Sequence, residues 1–309
     1  KIFLAILLLS FAAGVSAQTS ANRTAKTKVA DGLALLPAQQ PAEYNRIMGD
    51  FLSTGRQGVD MLTEMFSDVN NVPVNYALSG WAAYVTKSGT EADRRAFAEG
   101  ILAALDKAAS REVKAFYMHL LEIAGGDESV PALAKYIGNQ ELADHALVAL
   151  VEIGSPAAKK TVTDAMAANT APKAKLAKAV GDIGATGVET SLIGWLAGAD
   201  TETTKNIYYA LGQTGTAASL PTLRKAAASA GYADEPTQAV RSYVALLRNL
   251  AAGQSAVVTK EAMNLNKKAL AKKQCGAALS GFDVYASLQG RSAMPLVTKA
   301  TGNASRVYR

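Results

Sequence analysis

Residue types that carry out chemistry are scarce in this chain. It has two histidines, His119 and His145, and a single cysteine, Cys275. Neither histidine belongs to an HExxH motif or to a Cys/His group with zinc-ligand spacing. The sequence also lacks the G-x-S-x-G turn that presents a nucleophilic serine. We therefore predict no catalytic residue, no cofactor and no metal site here, and we expect Cys275, which lies among alanines and a leucine, to be a small buried hydrophobe.

One glycine-rich segment has the look of a phosphate-binding loop, residues 181–187, GDIGATG. A phosphate loop needs a preceding strand and, in the P-loop, a closing Gly-Lys-Ser/Thr. Neither is present in the sequence, and the segment falls where an apolar helical run ends. We interpret it as a turn between helices.

That turn is one of a series of similar turns. Gly125, Gly154, Gly184 and Gly215 follow one another at spacings of 29, 30 and 31 residues. Each ends an apolar run of helical periodicity and precedes a shorter run, often started by proline as at Pro156. Self-similarity at this period is typical of a solenoid, because no single helix pair can bury its apolar face alone. We predict an all-α protein, an α-solenoid (superhelix) of stacked antiparallel helix pairs, in which each of the four glycines forms a left-handed helix C-cap.

Aligning the long helices on these glycines identifies positions that face away from the core. The position six residues before the glycine holds His119, Val148, Lys178 and Tyr209, and the position two before it holds Ile123, Glu152, Asp182 and Gln213. A nucleic-acid-binding solenoid would show a ladder of Lys and Arg there, and this mixed set does not. We therefore predict no nucleic-acid partner and a protein-contact surface made by Lys178, Asp182, Tyr209, Gln213 and, in the next copy, Arg248. Tyr209 is the strongest single candidate, with ordinary packing between repeats as the alternative.

The repeat resembles the HEAT-type repeat, in the short bacterial form also seen in phycobilisome-lyase-like proteins. The matching signature, A-L-G-x-x-G followed by a turn and a proline-started helix, is present as Ala210, Leu211, Gly212, Gly215 and Pro221, and more loosely as Ala149, Leu150, Gly154 and Pro156. The resemblance covers roughly residues 110–253, where the copy at 115–136 lacks the inner glycine and the copy at 237–253 has Ala251 in place of the terminal one. It implies a superhelical architecture and leaves the activity open.

The beginning of the chain has the features of a secretory signal peptide over residues 1–17. Lys1 precedes an apolar stretch that ends in the small residues Val15-Ser16-Ala17. The stretch is short for a membrane span, and the alternative is an uncleaved anchor. We predict an exported bacterial protein, periplasmic, extracellular or at the cell envelope, with no stable membrane insertion after cleavage. Residues 18–40 are predicted to be a flexible leader, and residues 41–109 to form N-terminal helical pairs, either degenerate repeats or a cap.

The final segment, residues 254–309, is predicted to be a further, truncated part of the array. Residues 255–309 carry two acidic residues and nine basic ones: Lys260, Lys267, Lys268, Lys272, Lys273, Arg291, Lys299, Arg306 and Arg309. Such a set is typical of a solvated helix face, and the alternative is a surface for an acidic partner. Residues 303–309 look like the start of another long helix, so we expect the natural protein to continue.

These observations favour an exported scaffold without catalytic activity of its own, which binds a protein partner or a downstream domain of the same polypeptide. An alternative is the helical region of a larger carbohydrate-active enzyme, because such exported arrays resemble envelope proteins with a 3-keto-disaccharide hydrolase-like domain further on. A third possibility is a tetrapyrrole lyase, suggested by the resemblance to the phycobilisome family. The export signal and the lack of a nucleophile argue against the third.

Overall fold

The computed structural model describes residues 23–169 and 171–302. Within those residues every regular element is a helix, which confirms the prediction of an all-α protein. The predicted signal peptide, residues 1–17, and the predicted start of a further helix at 303–309 lie outside the described residues. The contacts between helices divide the chain after Leu133 into two compact units, which we call unit 1 and unit 2.

Unit 1 contains six long helices in succession: α1 (Ala25–Leu35), α2 (Pro41–Leu52), α3 (Gly55–Met65), α4 (Val72–Tyr84), α5 (Glu91–Lys107) and α6 (Arg111–Ala124). A 3-10 turn, Asp127–Ser129, and the short helix α7 (Val130–Ala134) follow them. From α2 onward, α2 packs on α4, α3 on α5 and α4 on α6, while α1 touches α2, α3 and α4. Helices α1 to α4 therefore each contact the helix two places further along the chain.

Aromatic rings fill the core of unit 1. The indole of Trp81 is 2% exposed and lies between Phe51, at 5.7 Å between ring centroids, and Phe97, at 5.8 Å. Phe66 makes a second ring contact with Phe116 at 4.7 Å. Because aromatic side chains bury large areas and gain further from ring contacts, these rings supply much of this unit's core.

The prediction of a flexible leader over residues 18–40 is wrong for the part that the structure describes. Helix α1 begins after Thr24, whose side chain accepts a hydrogen bond from the Thr27 amide, and it buries Val29. An ion pair of 2.9 Å joins Arg23 to Asp50 on α2. The segment is small and polar in composition, but one apolar stripe and this ion pair are enough to dock it.

Unit 2 begins at Ala134, the last residue of α7. Its further helices within the described residues are α8 (Ala143–Ile153), α9 (Pro156–Ala168), α10 (Lys173–Ile183), α11 (Glu189–Trp195), α12 (Thr201–Thr214), α13 (Leu220–Ser229), α14 (Ala239–Leu250), α15 (Ser255–Ala271), α16 (Cys275–Gln289) and α17 (Met294–Thr301). The even-numbered helices contact one another in order, from α8 through α10, α12 and α14 to α16. The odd-numbered helices α9, α11, α13 and α15 each pack on the even-numbered helix that comes next. The contacts are therefore between near neighbours in the chain.

The four regularly spaced glycines fall into two classes. Gly154 and Gly184 have φ of 60° and 67° and cap α8 and α10 in the left-handed conformation, as predicted. Gly125 and Gly215 have φ of −72° and −68°, so the prediction of a left-handed cap is wrong for both. At these two positions a Cβ would collide with the carbonyl oxygen of Leu121 or of Leu211 in the preceding turn. Glycine is needed at these two positions because there is no space for a Cβ, and not because the backbone adopts a positive φ.

A buried ionic cluster joins three helices of unit 2. Glu261 on α15 is 9% exposed and accepts from Arg224 on α13 and from the hydroxyl of Tyr243 on α14, both at 2.5 Å. Burial, together with the hydrogen bond and charge of Glu261, raises the pKa of Tyr243. Because both carboxylate oxygens have partners, the cluster fixes how these helices meet without leaving a buried charge unpaired.

Hydropathy gives no sign of a membrane span in the residues that the structure describes. No helix there combines the length and the apolar character that crossing a bilayer requires.

Candidate protein-contact surface

The outward positions of the even-numbered helices in unit 2 are where the sequence placed the contact surface. Val148 on α8 is 41% exposed, and Lys178 and Asp182 on α10 and Gln213 on α12 are also exposed. Tyr209 on α12 is half-buried. The helical register drawn from the glycines therefore identifies the outer side of these helices correctly.

Three of the five predicted contact residues form one cluster. The ammonium group of Lys178 donates to Asp182 Oδ2 at 2.5 Å, one helical turn away, and the hydroxyl of Tyr209 donates to Asp182 Oδ1 at 2.7 Å. Burial, with the hydrogen bond and charge of Asp182 as further causes, raises the pKa of Tyr209 to about 12. The phenol is thus a hydrogen-bond donor throughout the physiological pH range.

Tyr209 owes its position to a glycine on the neighbouring helix. A Cβ at Gly181 on α10 would lie 2.6 Å from Cε1 of the Tyr209 ring. The ring therefore covers the α10 backbone, and its hydroxyl reaches Asp182 one residue further on. Tyr209 is in the first place a link between α10 and α12, as the packing alternative held, while its exposed edge remains part of the outer surface.

The other two predicted residues are not part of that cluster. Arg248 on α14 pairs with Asp283 on α16, with 2.9 Å between Nη2 and Oδ2. Gln213 contributes its backbone carbonyl, which accepts from the side chain of Asn249 at 3.1 Å. Asn249 also donates to the carbonyl of Gly212 at 2.7 Å, so it joins α14 to the end of α12. Sequence reasoning did not single out Asn249 or Asp283.

Arg248 also marks a change in the spacing between helices. Gly181 and Gly212 lie three residues before the end-of-helix glycine, and Arg248 lies three residues before Ala251, which replaces that glycine. At Gly212 a Cβ would lie 2.8 Å from the carbonyl oxygen of Ser242, so α12 and α14 are in backbone contact. Arg248 cannot allow the same approach, and α14 and α16 touch over a shorter stretch. The register predicts this difference once Ala251 is aligned with the glycines.

Two grooves lie between α14 and α16 as a result. One has a volume of about 460 Å³ and is lined by Arg241, Val244 and Arg248 from α14 and by Gly276 and Ser280 from α16. The other, of about 390 Å³, lies on the far side of Arg248. The Arg248–Asp283 ion pair lies near the boundary between them, because Arg248 lines both.

Neither histidine takes part in an arrangement suited to catalysis. His119 Nδ1 lies 3.0 Å from Glu122 Oε2 on the surface of α6, and His145 is exposed on α8. Across residues 23–169 and 171–302 there is no group of three His, Cys, Asp or Glu side chains that could hold a metal ion. Cys275 is half-buried at the start of α16, rather than buried as predicted.

A recess in unit 1 also contains groups with structural roles. It has a volume of about 430 Å³ between α3, α5 and the start of α6. Its charged pair, Arg56 and Asp60, is a salt bridge of 2.7 Å within α3, and Ser110 caps α6 by accepting from the amide of Val113. Tyr117 lines it too, and burial raises the pKa of this tyrosine to about 12.

Comparison of the chain with protein-family models, with curated proteins and with solved structures finds no match. What the chain does must therefore be inferred from its own geometry.

Proposed function

We propose that this protein is an exported α-solenoid of HEAT type that acts as a scaffold for protein–protein contact. The observation that carries the proposal is the way in which successive helices of unit 2 contact one another. The even-numbered helices pack on one another in sequence, with inward apolar residues buried and the outer positions Lys178, Asp182 and Gln213 left exposed. Such an array offers a wide continuous surface, which is how repeat proteins bind partners.

The chemistry of the exposed side supports binding rather than catalysis. Acidic, basic, amide and phenolic groups are mixed along α10 and α12, and the cluster around Asp182 is held in place by hydrogen bonds. Tyrosine and arginine are enriched at protein interfaces because they combine apolar area with polar groups. Tyr209 and Arg248 are thus suited to the centre of an interface.

Site-specific photo-crosslinking in the cells that produce the protein tests the scaffold function. We expect a photoreactive residue at Val148 or Gln213, both exposed on even-numbered helices, to capture one defined protein. The same residue at Lys159, exposed on α9, serves as the control. Purified partner should then bind the wild-type protein and lose affinity for the Lys178→Glu variant. Equal capture at all three positions, or none, would contradict the proposal.

Export has a test of its own. Arg23, close after the proposed cleavage point, is already ion-paired to Asp50, so removal of residues 1–17 leaves the described fold intact. Mass spectrometry of the secreted protein should give a chain that begins at Gln18. An intact first segment would refute cleavage.

A further inference from the structure

The larger groove between α14 and α16 has features that distinguish it from the rest of the outer surface of unit 2. Its floor is aliphatic, with Val244 6% exposed and Val240 and Ala277 half-buried. Two guanidinium groups, those of Arg241 and Arg248, stand on its α14 side. Seven residues separate them, so their backbones are about 10 Å apart along one stripe of the helix.

Residues 255–302, which supply one side of the groove, carry an excess of positive charge. In residues 255–302 the basic side chains are all exposed and have no ion-pair partner among the described residues: Lys260, Lys267, Lys268, Lys272, Lys273, Arg291 and Lys299. The two carboxylates of this segment are both already bound by arginines from earlier helices. Glu261 is paired with Arg224 at 2.5 Å and Asp283 with Arg248 at 2.9 Å. Little negative charge therefore remains to neutralise the lysines.

Two carboxylates lie beside the arginines of the groove: Asp283 is ion-paired with Arg248 at 2.9 Å, and Asp234 lines the groove. Arg241 is exposed and has no ion-pair partner among the described residues. A guanidinium group binds carboxylates in a two-pronged geometry, and its attraction for them is stronger beside an apolar wall than in open water. The arrangement favours an acidic group placed over an aliphatic floor.

We propose that this groove binds an acidic peptide segment of the partner protein, with its carboxylates at Arg241 and Arg248 and its aliphatic side chains on the valine floor. The proposal rests on the proposed scaffold function and specifies the chemistry of its partner. A peptide suits the groove better than nucleic acid, because the one ring that lines it, that of Tyr232, is 6% exposed and leaves little area on which a base could stack.

Fluorescence anisotropy with defined probes tests this binding. The probe is a fluorescein-labelled peptide of alternating Glu and Val, and the same peptide with Gln in place of Glu is the uncharged control. The full-length chain should bind the Glu probe at physiological salt and the Gln probe much more weakly. The Arg241→Gln/Arg248→Gln variant should lose about tenfold or more in affinity, since it removes the charge-assisted contacts to the peptide carboxylates.

The matched control is the Lys267→Gln/Lys268→Gln variant, which removes the same charge outside the groove. It should change affinity by less than about twofold at physiological salt, because exposed charges away from the site are screened. All four side chains are exposed, so circular dichroism should show both variants folded. Equal losses in the two variants would overturn the groove as the site.

Binding of other anions distinguishes a peptide ligand from a nucleic-acid or lipid ligand. Oligothymidylate and phosphatidylglycerol vesicles are the other probes. If either binds as tightly as the Glu probe, and its affinity falls as much in the arginine variant, the peptide proposal is overturned in favour of a nucleic-acid or lipid ligand. If the probe does not bind while crosslinking at Val148 and Gln213 still captures a partner, the groove assignment fails and the scaffold function stands. If crosslinking fails as well, the scaffold function fails with it.

Discussion

Unit 1 and unit 2 make different use of glycine. In unit 1 a glycine makes room for a side chain from another helix: Gly80 on α4 faces the Met48 side chain, with a built Cβ 3.3 Å from Cε. In unit 2 Gly181 on α10 also faces a side chain, the Tyr209 ring, but two other glycines face backbone: Gly212 on α12 lies 2.8 Å from the Ser242 carbonyl, and Gly281 on α16 lies 2.8 Å from the Ala262 carbonyl, each measured from a built Cβ. Side chains can move aside, whereas a helix backbone cannot do so without carrying its whole helix. Unit 1 therefore owes its core to rings, and unit 2 owes its own to close helix contact.

Removing the central ring of unit 1 should have the largest effect. Trp81→Ala takes away an indole that is 2% exposed and touches Phe51 and Phe97, so we expect a loss of about 3–5 kcal/mol in the free energy of unfolding. The chain's other tryptophan, Trp195 on α11, is half-buried, and Trp195→Ala should cost clearly less. Urea denaturation followed by circular dichroism measures both. Equal losses would show that the rings of unit 1 are no more important than an ordinary half-buried residue.

Substituting alanine for one glycine in each unit distinguishes packing against a backbone from packing against a side chain. Gly212→Ala should destabilise by about 1–3 kcal/mol, because its Cβ meets the Ser242 backbone on α14. Gly80→Ala should be neutral or stabilise by up to about 1 kcal/mol, because alanine favours the helix and Met48 can adjust. Thermal unfolding of the two variants gives the comparison. Stabilisation by both would mean that α12 and α14 are not held in backbone contact.

Asparagine at the repeat glycines separates left-handed capping from lack of space. Asparagine tolerates positive φ better than other residues with a Cβ, so Gly184→Asn, at φ of 67° and with open space around it, should cost less than about 1 kcal/mol. Gly215→Asn should cost about 1–3 kcal/mol more, because any Cβ there meets the Leu211 carbonyl. The midpoints of urea unfolding give the difference, and equal midpoints would remove the distinction between the two glycine classes.

The two glycine classes also show what sequence periodicity can and cannot predict. The helices and their outward positions result from 3.6-residue periodicity, which is local. The two classes also differ in the residue four places later in the chain. Ser129 and Ser219, in that place after Gly125 and Gly215, are fully buried at the end of a 3-10 turn, whereas Ala158 and Val188 occupy it after Gly154 and Gly184. A serine at this spacing is the signal that would have separated them.

The exposure of the candidate contact residues was predictable from the sequence, but their pairing was not. Lys178 and Asp182 are one turn apart on α10, so their ion pair is expected from helix geometry. The bond from Tyr209 to Asp182 joins two helices and needs the close approach at Gly181, and the Arg248–Asp283 pair needs α16, which shares no repeat signature with α10 and α12. Pairings between helices depend on how far apart the helices lie, and one-dimensional spacing does not contain that distance.

The smallest expected effect distinguishes the two most perturbed tyrosines outside the Glu261 cluster. Burial alone raises the pKa of Tyr117 in unit 1 to about 12, whereas for Tyr209 in unit 2 the charge and hydrogen bond of Asp182 add to burial. Asp182→Asn keeps an acceptor but removes the charge, so the pKa of Tyr209 should fall part of the way from about 12 toward its usual value near 10, while that of Tyr117 stays in place.

The sign of the accompanying stability change is set by linkage. A phenol whose pKa is raised on folding stabilises the folded state fully below its unfolded pKa near 10, and that contribution is lost as the pH rises toward 12. In Asp182→Asn the free energy of unfolding should therefore decline less between those pH values. In Tyr209→Phe the share of that decline that Tyr209 causes should be absent. Tyrosinate absorbance and urea midpoints across the alkaline range measure both quantities. If the pKa of Tyr209 does not change in Asp182→Asn, burial alone perturbs both tyrosines, and the link between α10 and α12 is a matter of packing rather than charge.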